Sequence, residues 1–261
     1  MRDPLVRSFG NAVESIRVSP LSDVHIGSPQ FDLKSFQGFI NSVEADPNWY
    51  LAGNGDYIEN VTRSSIGDVW EQTMPPAEQI REVAKILEPV KDRILCFTDG
   101  NHEDRSKKET SFEPARMLCE KLGLPENLYQ PEGASLILRL GYDKKQGKGT
   151  DLVYTFYVTH GRTGGRLPGA KMIAVDRIGR TFEGFDVVLM GHVHDMMSRK
   201  IAVYALDRNS YTIIEREQAQ VVAGSFLTYG GYGQKAGYMP GAVGMPSVVL
   251  NGRRRAIEIR I

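Results

Sequence analysis

Apolar positions along the chain follow two rhythms, and the two alternate. Ser15-Ile-Arg-Val-Ser-Pro-Leu21 has the apolar content of a strand, and Asp32 can then cap a helix reaching about Glu44. Phe36, Phe39, Ile40 and Val43 would share one face of that helix, because residues three and four apart lie together on a 3.6-residue repeat. Trp49-Tyr-Leu-Ala52 is a short apolar strand running into Gly53. Pro75-Pro76 opens a second helix, with Ile80, Val83, Ile86 and Leu87 at helical spacing. Arg93–Thr98 predicts a third strand, followed by a polar loop and then a helix near Glu113–Leu122. Strands dominate the second half. Ala134–Leu140 and Leu152–Thr159 pair as a hairpin around the polar stretch Gly141–Thr150. Pro168 starts a helix to about Gly179, and Asp186-Val-Val-Leu-Met190 is a short buried strand. Several strands follow, ending in Ala256–Ile261, where Ile257, Ile259 and Ile261 alternate onto one face. The expectation is one α/β domain over residues 1–261, with residues 1–14 as an N-terminal extension and loops at the strand ends.

Composition narrows this picture. At 261 residues and 41% hydrophobic, the chain can bury a sizeable core without covalent staples. Cys96 and Cys119 are too few for a disulfide framework, which sets the expectation of a reducing, cytoplasmic compartment. No apolar run approaches the ~20 residues of a membrane span, and the start lacks the apolar stretch of a signal peptide. Lys+Arg 32 balance Asp+Glu 32, so no whole-protein field draws in nucleic acid or membrane.

The five histidines change the reading from fold to chemistry. His25 lies in Leu21-Ser-Asp23-Val-His25-Ile-Gly27, His102 in Asp99-Gly-Asn101-His102-Glu103, and His160 in Val158-Thr-His160-Gly161. His192 and His194 lie in Met190-Gly-His192-Val-His194-Asp195. Each follows a predicted strand and has glycine within three residues, as does Asp56 in Gly53-Asn-Gly55-Asp56. In an extended segment, i and i+2 project to one side, so Asp23 would point with His25, and His192 with His194, while Asn101 and His102 would diverge. Carboxylates, an amide oxygen and imidazoles converging from separate strand ends suit borderline divalent metals. One such histidine is more often structural than ligating, but five of five in such loops is a joint signal.

The ordered set Asp-x-His, Gly-Asp, Gly-Asn-His-Glu, His-Gly and Gly-His-x-His resembles that of the calcineurin-like metallophosphoesterases. It spans Asp23 to His194, about two thirds of the chain. The resemblance implies an α/β fold of two mixed β-sheets packed face to face and flanked by helices, with a dinuclear metal site at the strand ends. It also implies Asp23, His25 and His194 at one metal, Asn101, His160 and His192 at the other, and Asp56 bridging them together with a water or hydroxide. Two such metals activate the bridging water and absorb phosphoryl charge. His102 would stabilise phosphate or protonate the leaving oxygen. Glu59 is the carboxylate expected to orient it, with Asp99 and Glu103 as alternatives. Mn²⁺ is preferred on ligand type, although affinity order alone favours Zn²⁺, and Fe²⁺ or Ni²⁺ also suit the set.

The chain departs from the Ser/Thr protein phosphatases, which follow Gly-Asp with two residues and Asp-Arg-Gly; here Glu59-Asn60-Val61 stands in that place. The segment is closer to the phosphodiesterases and repair exonucleases of the family. A phosphodiesterase, with nucleic acid as one candidate substrate, is therefore the leading expectation. A phosphomonoesterase of nucleotides, sugar phosphates or phosphoproteins is the alternative, and a non-catalytic scaffold comes third. Arg105, Lys107, Lys108, Arg162, Arg166 and Lys171 lie near the motifs, and Arg162 is the one expected to contact substrate. Arg253–Arg255 reads as surface charge. Residues 224–246, with seven glycines and Tyr229, Tyr232 and Tyr238, predict a long irregular loop.

Overall fold

A computed structural model describes residues 2–63, 65, 69–141, 151–165 and 167–261, except for the side chain of Tyr232. Arg166 and most of the Gly141–Thr150 turn lie outside the described residues.

Two mixed sheets stack on each other. The first has the order β11-β10-β2-β3-β4, from β2 (Ser15–Leu21), β3 (Trp49–Gly53), β4 (Ile94–Phe97), β10 (Ser247–Asn251) and β11 (Ile257–Arg260). The second has the order β1-β5-β6-β7-β9-β8, from β1 (Leu5–Ser8), β5 (Ala134–Leu140), β6 (Leu152–Thr159), β7 (Val187–Met190), β8 (Met197–Asp207) and β9 (Thr212–Val222). Ile16, Val18, Ala52 and Leu250 of the first meet Leu136, Phe156, Val187 and Val221 of the second in one buried layer. Helices cover the outer faces. α1 (Leu33–Ala45), α2 (Pro76–Leu87) and α4 (Pro114–Lys121) bury Phe36, Ile40, Val83, Leu87 and Leu118 against the first sheet. α5 (Pro168–Thr181) sets Val175 against Val188, Met190 and Val222 of the second. The two-sheet, helix-flanked architecture implied by the sequence is the observed one.

Three elements differ from the reading of the sequence. Residues 1–14 are not a bare extension, because Leu5–Ser8 forms β1, parallel to β5 at the edge of the second sheet. The polar stretch after β4 is a ten-residue helix, α3 (Asn101–Thr110). Residues 224–246 are mostly irregular but include a short helix, α6 (Gly231–Lys235), and bridges of Leu227 to Phe31 and Val243 to Ser225. Asp32 caps α1 as expected, accepting the Ser35 amide, and Cys96 and Cys119 are buried free thiols. Among the described residues, no helix is long and apolar enough to cross a membrane.

Parallel pairing positions the functional loops. β2, β3 and β4 run parallel, as do β6 and β7. Their carboxyl ends therefore come out on one side, and the five segments that follow them converge there.

Candidate metal centre

The strand-end loops do not continue as extended chain. Asp23, His25, Asp56, His192 and His194 all have left-handed backbones, with φ of 48°, 51°, 55°, 76° and 52°. Such a conformation costs an L-residue about 1–2 kcal/mol, and strain of this kind gathers at functional sites. The same-side projection expected from extended geometry is thus reached through tight left-handed turns. Two glycines make room for the approach. A Cβ at Gly100 would collide with the Asp56 carboxylate, and one at Gly191 would collide with Ser22 Oγ and lie 3.0 Å from Asp23 Oδ2.

Two groups of donor atoms result. In the first, Asp23 Oδ1 lies 3.0 Å from His194 Nε2, and His25 Nε2 lies 3.1 Å from His194 Nε2. In the second, Asn101 Oδ1 lies 2.7 Å from His192 Nδ1 and 3.1 Å from His160 Nε2, and the two ring nitrogens stand 3.3 Å apart. Asp56 Oδ2 sits between the groups, 3.3 Å from His160 Nε2 and 3.7 Å from His25 Nε2. The imidazoles of the Gly-His-x-His segment go to different groups.

These separations fit cation coordination. Ligand atoms bound at about 2.1 Å in tetrahedral or octahedral geometry stand roughly 3.0–3.4 Å from one another. Asp23, His25 and His194 form one set able to hold an ion, and Asp23, Asp56 and His160 form another. The outer ring nitrogens give a second, independent fit. His25 Nδ1 donates to Glu59 Oε2 (3.1 Å), His160 Nδ1 to the Asn54 carbonyl (2.8 Å) and His192 Nε2 to the Thr163 carbonyl (3.2 Å). An acceptor on the outer nitrogen orients the ring and leaves the inner nitrogen as the one that offers its lone pair once any proton on it is displaced, as metal-ligating imidazoles require.

Electrostatics point the same way. Burial raises the Asp23 and Asp56 carboxyls, but the surrounding histidines outweigh it and hold both well below the usual carboxylate range. Burial opposes charge on His25, yet hydrogen bonds to Asp23 and Glu59 raise it to about 10. Burial likewise opposes charge on His160, which the Asp56 carboxylate raises to about 9. Without an ion, protons supply the positive charge that these carboxylates demand.

His102 sits on the rim, its Nε2 3.8 Å from Asp56 Oδ2. Its Nδ1 donates to the Glu59 backbone carbonyl at 2.5 Å. The Glu59 carboxylate, expected to orient His102, instead serves His25, and its oxygen is 3.9 Å from His102 Nδ1. The alternatives do other work. Asp99 accepts from the Tyr129 hydroxyl and pairs with Lys107, while Glu103 accepts the backbone N–H groups of Asp56, Tyr57 and Gly100 at 2.8–2.9 Å. Arg105, one of the basic residues near the motifs, lies along the His102 ring with Nη1 3.0 Å from Nδ1 and Nη2 3.0 Å from Nε2. Burial, with the charges of His25 and Arg105, lowers His102 to about 4 against the pull of Asp56. His102 is therefore neutral at pH 7.

Arg162 is exposed and lines a pocket with Tyr157, Thr163, Arg177 and Phe182, which adjoins the donor cluster through Thr163, whose carbonyl accepts from His192. Lys171 is not solvated but buried, paired with Asp195 at 3.1 Å, and so ties α5 to the Gly-His-x-His loop. Arg255 pairs with Asp186 rather than standing as free surface charge. Asn54 and Asn60 escaped the sequence reading. Asn54 also donates to the Thr159 carbonyl, linking the ends of the two sheets, and Asn60 donates to the His102 carbonyl and Ser106 Oγ. The only signal for either was its place beside a motif.

No family model matches the sequence, and no curated protein does. Among solved structures, the chain is similar to the calcineurin-like phosphoesterase YfkN from Bacillus subtilis, at 12% identity and a TM-score of 0.47 over 95% of this chain and 90% of that one. It is also similar to a Thermotoga maritima protein solved by NMR in solution, at 14% identity and a TM-score of 0.34 over 94% of this chain and 98% of that one.

Proposed function

We propose that this protein is a metal-dependent phosphoesterase holding two divalent cations, Mn²⁺ preferred, and that it hydrolyses phosphodiesters. One observation carries the reading: His25, His160 and His192, each anchored by its outer nitrogen, turn their inner nitrogens toward Asp23, Asp56 and Asn101. Asp23, His25 and His194 would hold one ion, Asn101, His160 and His192 the other, and Asp56 would serve both. Bound there, a pair of ions lowers the pKa of water and neutralises charge growing on the phosphoryl oxygens.

The chain's own groups do the rest. Glu59, the Asn54 carbonyl and the Thr163 carbonyl keep the His25, His160 and His192 rings in orientation. Glu103 holds the Asp56 loop against the start of α3. His102 faces the space beside Asp56 and is the candidate for the leaving oxygen. Neutral in the free protein, it gains a proton more readily once an anionic substrate lies beside it, and can then donate that proton from Nε2.

The test is to strip the protein of metal, restore Mn²⁺, Zn²⁺, Fe²⁺ or Ni²⁺ in turn, and compare bis-p-nitrophenyl phosphate with p-nitrophenyl phosphate. Turnover of the diester with at least one ion is expected. Activity on neither ester with any ion overturns the proposal, and activity on the monoester alone moves the substrate class to phosphomonoesters.

A further inference from the structure

The far end of the second sheet is unfinished. β8 and β9 pair over eleven residues each, but β7 accompanies β9 only along Ala219–Val222. The seven pairs from Ile201↔Gln218 to Asp207↔Thr212 therefore run on as a two-stranded ribbon, about 20 Å long at strand rise. The ribbon extends away from the metal centre, because β9 is parallel to β7 and its first residues lie beyond the amino end of β7. Among the described residues, β8 has β9 as its only strand neighbour.

An isolated two-stranded hairpin is marginal in water, and three or more strands are needed to hold one. This ribbon nonetheless exposes apolar side chains on the face that continues the core, beside Glu217 and Glu215 of β9. Ser198 and Lys200 of β8 pair with Val221 and Ala219, whose side chains are in the buried layer between the sheets. Alternation continues that face outward through Ala202, Tyr204 and Leu206, with Ile213 opposite Leu206. There Tyr204, Leu206 and Ile213 are 68%, 60% and 67% exposed, because the other sheet does not reach them. Clusters of large exposed apolar side chains mark interaction surfaces, and an open edge strand offers unpaired backbone groups to a further strand.

We propose that β8 pairs antiparallel with β8 of a second copy of this chain, about a twofold axis through Val203, giving a four-stranded sheet β9-β8-β8-β9 across the dimer. The sequence of β8 is complementary to itself in that register. Val203 meets its own counterpart, Ile201 meets the partner's Ala205, and Arg199 meets the partner's Asp207. On the other face Ala202 meets the partner's Tyr204, and Lys200 meets the partner's Leu206. A twofold contact must satisfy the same patch twice, and here it sets apolar residues at the axis, with Arg199, which already pairs with Asp176 and Gln220 in its own chain, beside the partner's Asp207 at each rim. The pairing lies far from the metal centre and is independent of the phosphoesterase reading.

Light scattering coupled to size exclusion tests it on the full chain, with Val203→Lys and Val203→Glu as variants. Directly opposed like charges destabilise a strand pair, and Val203 is far from the donor cluster. The wild type should run as a dimer, and each variant as a monomer with unchanged metal content. A one-to-one mixture of the two variants should return to the dimer, which a merely misfolded ribbon would not do. A monomeric wild type overturns the proposal, as do variants that remain dimeric or a mixture that stays monomeric.

Discussion

His102 is held differently from the other histidines of the cluster, and that difference makes its role measurable. The His25, His160 and His192 rings are fixed by acceptors and turn toward Asp23, Asp56 and Asn101, whereas His102 is packed against the Arg105 guanidinium and kept neutral. Proton donation matters when the leaving oxygen is a poor leaving group and matters little when it departs as a stable anion. A general acid contributes about 10²–10⁴-fold. His102→Ala is therefore expected to lose a factor in that range on an alkyl phosphodiester, far less on bis-p-nitrophenyl phosphate, and to keep its full metal content by elemental analysis. Equal losses on both esters would show that His102 contributes charge or metal binding rather than a proton. Arg105 acts on the same proton from the other side. Removing its charge in Arg105→Gln should move the His102 titration upward, read as an upward shift of the imidazole signal in NMR titration. An unmoved titration would leave burial and the charge of His25 as the causes.

At the level of elements, α3 explains how one acidic side chain organises two loops. Glu103 lies in its first turn, almost fully buried, and takes three backbone N–H groups, two of them from the Asp56 loop. Each donor orphaned in a buried place costs about 1–3 kcal/mol. Glu103→Ala should then destabilise the fold by about 3 kcal/mol in urea denaturation and weaken metal retention, since Asp56 loses its support. A loss below about 1 kcal/mol would mean that water replaces the carboxylate. The helix carrying Glu103 was invisible to pattern reading because Asn101–Thr110 contains no apolar residue and so gives no helical period. The metal loops were legible for the opposite reason: each stands between a strongly apolar strand and a glycine. Their left-handed turns were not legible, since residue types name the ligand but not the φ that aims it. The carboxylate of Glu59 was assigned by nearness in sequence to Asp56, and sequence could not show that its backbone carbonyl would reach His102 while its side chain turned to His25. The β8–β9 ribbon carried no clear alternation for a related reason. Half its length has no core to face, so nothing there enforces an apolar-polar rhythm.

Across the whole molecule, the cluster links stability, pH and metal. His25 and His160 have folded pKa values of about 10 and 9, above the ordinary histidine value of 6.5. Their contribution to metal-free stability is therefore complete below pH 6.5 and is lost as pH rises through 9 to 10. The lowered carboxyls of Asp23, Asp56 and Glu59 act in the other direction, and their contribution is lost on acidification. His102, lowered to about 4, also loses its contribution as pH falls from 6.5 toward that value. Glu103, which burial raises to about 7, also costs stability as pH rises above 4.5, so metal-free protein should melt progressively lower from about pH 6.5 to pH 9. An ion bound to His25 and His160 must displace their protons, so its apparent affinity rises over the same interval in which the protonated cluster weakens. The melting temperatures of chelator-treated and Mn²⁺-loaded protein should accordingly diverge by several degrees between pH 6.5 and pH 9. Calorimetric titration of Mn²⁺ near pH 7, in buffers of different ionisation enthalpy, should register proton release on binding. Parallel melting curves across that interval, or uptake without proton release, would mean that these two imidazoles are not where the ion binds. The centre would then have to be rebuilt around Asp23, Asp56, Asn101, His192 and His194.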